Sequence, residues 1–339
     1  MTRRNKSNPK KPSAQVSPAN RDVTAQPDGP REPCGDDPAA SVHDKAPPAA
    51  KAPVDVAPTP LYAVATKKWF AMEEAVVGLA HRVRDLPCQD AARATAKNRA
   101  CMILADGAGS SAVSEIGARA VVTGLVRLAD TLTTVLAERL DQGEDDPQAL
   151  RSLGLLFVKH AVGILADLAA EHRRDLRDFR STLLLCLTGQ KRHLWLKVGD
   201  GALVAERQLL CEGSLPQAYL VSLGRAGKGE FANETQFLDA VQPVDVQTGY
   251  LPANEITGLA LMSDGAAERL VSNDGQTIGK RVSALLQELR EEKLRRSKLT
   301  RMFYEDGFCD RSSGDDRAIA LLATGFDKPV QEPQTHKPS

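Results

Sequence analysis

Four short apolar runs, each bounded by glycine or aspartate, constrain what this chain can fold into. They are Ile103 and Leu104 within CMILADG, Leu194 to Val198 within LWLKVGDG, Leu259 to Met262 within LALMSDG, and Ile319 to Leu322 within AIALLA. Runs of this length flanked by turn residues are strand signals. Between the first two lie two long patterns at i+3 and i+4 spacing, Ile116 through Leu136 and Leu150 through Leu168, which predict amphipathic helices. A third helical pattern covers roughly 278 to 298 and runs into the charged stretch LREEKLRRSKLTR, read as a solvated face. This order of elements does not alternate as a doubly wound α/β domain would. It predicts an α+β sandwich of sheets flanked by helices.

Composition narrows the function. Lys plus Arg and Asp plus Glu both number 44, so net charge gives no reason to expect nucleic acid or an anionic membrane as partner. No uninterrupted apolar stretch reaches the length of a membrane span, and the basic N-terminus has no apolar core behind it, so a cytoplasmic protein is expected. Residues 1–60 hold 12 of the 20 prolines and no aromatic residue. That composition predicts a disordered tail over 1–61, whose basic cluster Arg3, Arg4, Lys6, Lys10 and Lys11 reads as solvated. One domain is expected over 62–326, with a second tail over 327–339. The six cysteines form no C-x-x-C pair, so neither a zinc knuckle nor disulfides are expected.

The acids carry the chemical information. Asp106, Asp200 and Asp264 each follow an apolar run and precede a glycine; Asp315 and Asp316 precede the last run, and Asp90 follows PCQ. Asp28, Asp274 and Asp306 also precede glycine, but read as turns. If the strands lie side by side, their ends gather the carboxylates, and two such charges ~4 Å apart repel by about 4 kcal/mol at an effective dielectric near 20. Divalent cations with hard oxygen ligands offset such repulsion. The alternative is that the aspartates point apart and merely end strands. His81, His193 and His160 read as structural or surface histidines, and no G-x-S-x-G, GxxxxGK[ST] or GxGxxG occurs.

Six segments together, HRVRDLPCQDA (81–91), ILADGAGSSAVSEIGA (103–118), RSTLLLCL (180–187), VGDGALV (198–204), LMSDGA (261–266) and SGDDRAIALLA (313–323), resemble in order and spacing the metal-dependent serine/threonine phosphatases of the protein phosphatase 2C type, in their bacterial branch with the PCQDA motif. The resemblance spans nearly all of 70–325. It implies a four-layer α-β-β-α sandwich with two central antiparallel sheets and two Mn²⁺ or Mg²⁺ ions at one end. It further implies that Asp106 and the Gly107 carbonyl hold the metals, that Asp264 and Asp315 ligate one of them, that Asp90 binds directly or through water, and that Asp200 serves a weaker third ion. Arg82 or Arg84 takes the part of the phosphate-clamping arginine. Gln89 and Ala108 depart from the Glu and His of eukaryotic members, and Ala108 removes the residue proposed there as general acid. For Thr182, packing or a hydroxyl bond to the backbone is expected. The implied activity is hydrolysis of phosphoserine and phosphothreonine in proteins by a monomer paired with a Ser/Thr kinase. The alternatives are a phosphatase-fold regulator that binds phosphoproteins without turnover, and a hydrolase of a small phosphorylated molecule.

Overall fold

The computed structural model describes residues 67–144, 146–209, 217–225 and 235–325. The expected tails 1–61 and 327–339, the boundary at Tyr62, and Asp28, Cys34 and Cys211 lie outside these residues. Ten strands form two antiparallel sheets: β1 (Trp69–Val76), β2 (Ala91–Thr95), β3 (Cys101–Ala105), β4 (Leu183–Leu187), β5 (Arg192–Val198), β6 (Ala202–Leu209), β7 (Gln217–Leu223), β8 (Gln247–Pro252), β9 (Ile256–Met262) and β10 (Arg317–Thr324). The first sheet has the order β1-β10-β9-β6-β7 and the second β2-β3-β4-β5-β8. Helices α2 (Ser114–Thr131) and α4 (Pro147–His172) cover the second sheet, while α6 (Lys280–Arg290) and α7 (Arg296–Phe303) cover the first. Shorter turns of helix are α1 (Leu79–Val83), α3 (Thr133–Leu136), α5 (Asp264–Ala267) and α8 (Asp306–Cys309). The result is a four-layer α-β-β-α sandwich.

Two-sided burial explains why the strands read as continuous apolar runs rather than alternating ones. In β3, Cys101, Ile103 and Ala105 enter the layer beneath α2 and α4, while Met102 and Leu104 enter the layer between the sheets. In β10, Ile319, Leu321 and Ala323 meet α6 and α7, and Ala318, Ala320 and Leu322 face the opposite sheet. Among the described residues the cysteines are free, and Cys101 and Cys186 are buried in these layers.

The helices differ from expectation at three places. The pattern predicted to run through Leu136 breaks after Thr131, with a bend of 75° before the stretch Thr133–Gln142. Thr131 and Thr133 hydroxyls donate to the Arg127 and Asp130 carbonyls, the side-chain competition that bends helices. Leu136 and Leu140 still reach the core, so the apolar period survives the break. The single helix expected near 278–298 is two helices, parted by a turn in which Glu292 takes a left-handed φ of 58° and Leu294 dives into the core. The charged run there is not wholly solvated, because Arg290 is buried against Glu206, which also accepts a 2.8 Å bond from Thr257 Oγ1. Asp306 begins α8 instead of standing in a simple turn, whereas Asp274 does cap a turn, accepting from Gln276 N at 2.9 Å. Helix α4 starts at Asp146, whose carboxylate accepts from Ala149 N at 2.9 Å ahead of Pro147. Its length and composition would suit a membrane span, but Leu153, Phe157, Ala161 and Leu165 are buried over the second sheet.

The Glu206–Arg290 pair ties the outer helix layer to the first sheet, and truncating one partner strands the other charge in the interior. Glu206→Ala is expected to lower unfolding stability by about 3–5 kcal/mol, against less than about 1 kcal/mol for Arg281→Ala in an exposed pair with Glu305. Denaturant titration of the two variants checks this.

Candidate active site

Strand register brings the acids to one end of the sandwich. In the second sheet Ala91 pairs with Ala105, which sets Asp90 and Asp106 side by side just beyond the ladder. In the first sheet Met262 pairs with Ile319 on one side and Ala202 on the other, so Asp264 emerges between the Asp315–Asp316 pair and Asp200. Close backbone approach demands the glycines that follow two of these acids. A Cβ at Gly265 would fall 2.1 Å from the Asp316 carbonyl oxygen, and one at Gly107 would fall 2.6 Å from that of Gln89. Their first use is therefore to let neighbouring segments meet at the site.

Asp316 is the anchor of this end. Its Oδ1 accepts from Gly78 N and its Oδ2 from Gln89 N, each at 2.6 Å, and His81 Nδ1 lies 2.9 Å from Oδ2. One buried carboxylate thus fixes the loop before α1 and the residue before Asp90, with His81 of α1 packed against it. His81 Nε2 is 3.8 Å from Asp315 Oδ1, and Asp315 is 48% exposed at the rim. Thr182 clamps Asp106 from the backbone side: its Oγ1 accepts from Asp106 N at 3.0 Å, and its N–H donates to Asp106 O at 2.8 Å. Ser263 Oγ accepts from Ala318 N at 2.9 Å, and its nearness to Asp90 offsets part of the burial cost of that carboxylate. Thr235 Oγ1 donates to Asp200 Oδ2 at 2.8 Å.

The electrostatics follow from this crowding. Burial pushes Asp90, Asp106 and Asp264 above the usual carboxylate range, and repulsion among the acids adds to it. The charges of Asp90, Asp264 and Asp200 all act to raise Asp106. Asp90 Oδ2 is buried with no hydrogen-bond partner among the described residues. Cations are further out: Lys197, lowered by burial to about 8, donates to the Arg225 carbonyl at 2.8 Å in a groove floored by Asp200 and Asp264. Among the described residues no three acid, histidine or cysteine side chains are drawn in around a common point. The donor set nonetheless fits a hard divalent cation: carboxylate oxygens, one of them orphaned, each favouring a positive charge nearby.

A family model described as protein phosphatase 2C matches residues 77–303. The chain belongs to the protein phosphatase 2C family. Among solved structures it resembles a bacterial serine phosphatase carrying an arginine-to-lysine substitution, at 16% identity and a TM-score of 0.50, over 76% of this chain and 99% of that one. It also matches the Mycobacterium tuberculosis serine/threonine phosphatase PstP/Ppp, at 17% identity and a TM-score of 0.49, over 75% of this chain and 98% of that one. A catalytic domain of PstP in complex with two manganese ions matches at 19% identity and a TM-score of 0.48, over 76% and 99% of the two chains. No curated protein sequence matches significantly.

Within this phosphatase 2C domain the fold gathers Asp90, Asp106, Asp200, Asp264 and Asp315 at one end. Arg82 and Arg84 have no acidic partner among the described residues. Arg82 instead stacks 4.9 Å from the Tyr304 ring centre, and Tyr304 donates to Val77 O at 2.8 Å. His81, expected to be structural or at the surface, is buried beside Asp315 and Asp316. His193 is structural, accepting from Gly189 N, and burial lowers it to about 3; His160 is exposed on α4. Asp316, Ser263 and the backbone of Gln89 are positioning groups that sequence reasoning missed. The doubled Asp before β10 was the only signal for the first, and nothing in it told anchor from free acid.

Replacing one repelling acid should stabilise the metal-free protein. With chelator present, Asp264→Asn is expected to gain about 1–4 kcal/mol, the span for one charge pair ~4 Å apart between water and an effective dielectric of 20. The raised carboxyls also set a sign for pH: they contribute stability while protonated, and it is lost as pH climbs from the ordinary carboxylate range through their raised values. Thermal unfolding of both proteins in chelator across that range tests the gain and its sign.

Proposed function

We propose that this chain hydrolyses phosphoserine and phosphothreonine monoesters in proteins with the help of two Mn²⁺ or Mg²⁺ ions. The observation that carries the reading is the gathering at one end of Asp90, which is buried, with Asp106 and Asp264, which are half-buried, all three held above the usual carboxylate range by desolvation and neighbouring acids. Asp106, Asp264 and Asp315, with Asp90 and the Gly107 carbonyl, are the residues that would hold the pair, and Asp200 a weaker third ion. Such ions supply neutralisation of phosphoryl oxygens and acidification of water.

The rest of the site orients these groups. Asp316 holds the strand entry of Asp90 with His81 beside it, Ser263 lies near the Asp90 carboxylate and favours its charged form, and Thr182 fixes the Asp106 backbone. A protein nucleophile is not needed. The nearest thiol, Cys88, donates to Asp90 O at 3.6 Å, and burial pushes it well above the ordinary range, so it is no thiolate. Arg82 and Arg84, next to His81 in the chain, are the arginines proposed to meet the phosphate. The partner is a phosphorylated protein, with a Ser/Thr kinase supplying it, and the setting is the cytoplasm. A phosphoprotein-binding member without turnover is the second reading, drawn from Ala108, which offers no proton to a leaving group.

Hydrolysis of a phosphothreonine peptide and of p-nitrophenyl phosphate is expected to need Mn²⁺ or Mg²⁺, to stop with chelator, and to survive thiol alkylation. Asp106→Asn should lower turnover by about 10²-fold or more, in the range seen for loss of one preorganised charge-stabilising group. Asp200→Ala should retain part of the rate and need more Mn²⁺. Turnover unaffected by chelator, or absent at every metal concentration, would contradict the proposal.

A further inference from the structure

The cleft between α6 and α7 is used by nothing described above. Residues 280–301 carry eight Lys and Arg against three Glu, in a chain whose formal net charge is zero. The cleft encloses about 580 Å³ and is lined by Arg281, Lys293, Arg295, Lys298 and Arg301, over a floor of Leu285 and Met302. Both floor residues are otherwise packed into the helix layer. Three of the cations are matched: Arg281 with Glu305 at 3.3 Å, Lys298 with Glu288 at 2.6 Å, and Lys293 with Glu291 at 2.7 Å. Two are not. Among the described residues Arg295 donates only to the carbonyls of Glu292 and Leu294, at 2.8 and 3.2 Å. Arg301 is exposed and has no acidic partner among the described residues.

We propose that this cleft docks an acidic segment of a protein partner, with carboxylates on Arg295 and Arg301 and one apolar side chain over Leu285 and Met302. Charge complementarity argues for the acid, since two guanidiniums present ten N–H donors of which few are used, in a fork geometry suited to carboxylates. The choice of a peptide over other polyanions comes from the lining. It holds no aromatic ring on which bases could stack, and Glu288 and Glu305 at its walls oppose a continuous phosphate backbone. A membrane surface is disfavoured because the apolar atoms lie at the bottom of a concavity rather than on a projecting face. The same two glutamates can accept from peptide N–H groups. The proposal is independent of turnover, so it stands or falls on binding alone.

The test is fluorescence anisotropy of a labelled, non-phosphorylated peptide in which Glu and Asp surround a single leucine, titrated with the full chain. Saturable binding is expected, weakened about tenfold or more by Arg295→Glu combined with Arg301→Glu, and weakened by raising salt from about 50 to 200 mM. Replacing the peptide leucine by serine should also weaken it. Thermal unfolding of the double variant reports whether it folds; should it not, Arg301→Gln alone replaces it, with a loss of about threefold or more expected. Absence of binding, equal binding by the folded variant, or tighter binding of a single-stranded oligonucleotide or of phosphatidylserine vesicles at matched charge would overturn the proposal.

Discussion

Electrostatic repulsion among Asp90, Asp106 and Asp264, crowded where the two sheets end together, is the constraint around which the rest of the molecule is arranged. Left to themselves these groups would separate or keep their protons. What holds them is the register of two five-stranded ladders, because each acid lies just past a paired residue and cannot leave without breaking a strand end. Asp316 shows the contrast. It lies at the same end, but its charge is met by two backbone N–H groups, with His81 packed beside it, so it serves as an anchor. Strain of this kind persists where surrounding structure over-determines it.

The surrounding structure here is three apolar layers, one between the sheets and one under each pair of helices. Buried on both faces, the central strands have little freedom to shift, and a one-residue slip would turn every side chain to the wrong layer. The close approaches at Gly107 and Gly265 extend the same rigidity to the loops. Arg317 contributes from beneath: fully buried, it donates to Phe303 O at 2.8 Å and Ser312 Oγ at 3.0 Å, which ties the α7–α8 region to the start of β10. The chain segment that supplies Asp315 is thereby fixed from both sides of the strand.

Much of this was legible in the sequence, and the reasons are specific. Apolar runs ending in Asp-Gly revealed β3, β5 and β9 together with the acids at their ends, since burial on two faces leaves an unbroken apolar signature. The α+β layering followed from element order. Edge strands β1 and β7 were not read, because half-exposed sequences such as WFAMEEAV and QAYLVSL mix polar and apolar residues without a clear period. The breaks in the helices were hidden because Leu136 and Leu294 keep the apolar spacing while the backbone turns. The acids beside His81 were not legible because Asp315 and Asp316 lie more than 230 residues away in sequence, a proximity that the β1–β10 ladder creates. Arg290 in its charged run was missed likewise, since the acid that buries it belongs to β6.

The central claim is that the fold holds these carboxylates in wait for divalent cations. Its most direct test is calorimetric and thermal titration of the chelator-treated, full-length chain with Mn²⁺. Ligand that binds only the folded state stabilises it by about 2.7 kcal/mol at a hundredfold excess over Kd, so the unfolding midpoint should climb with Mn²⁺ alongside saturable heat. Asp106→Asn should abolish most of both. A wild-type midpoint and heat signal unmoved by millimolar-range Mn²⁺ or Mg²⁺ would show that the carboxylates are held together for some other reason, and the account would fail.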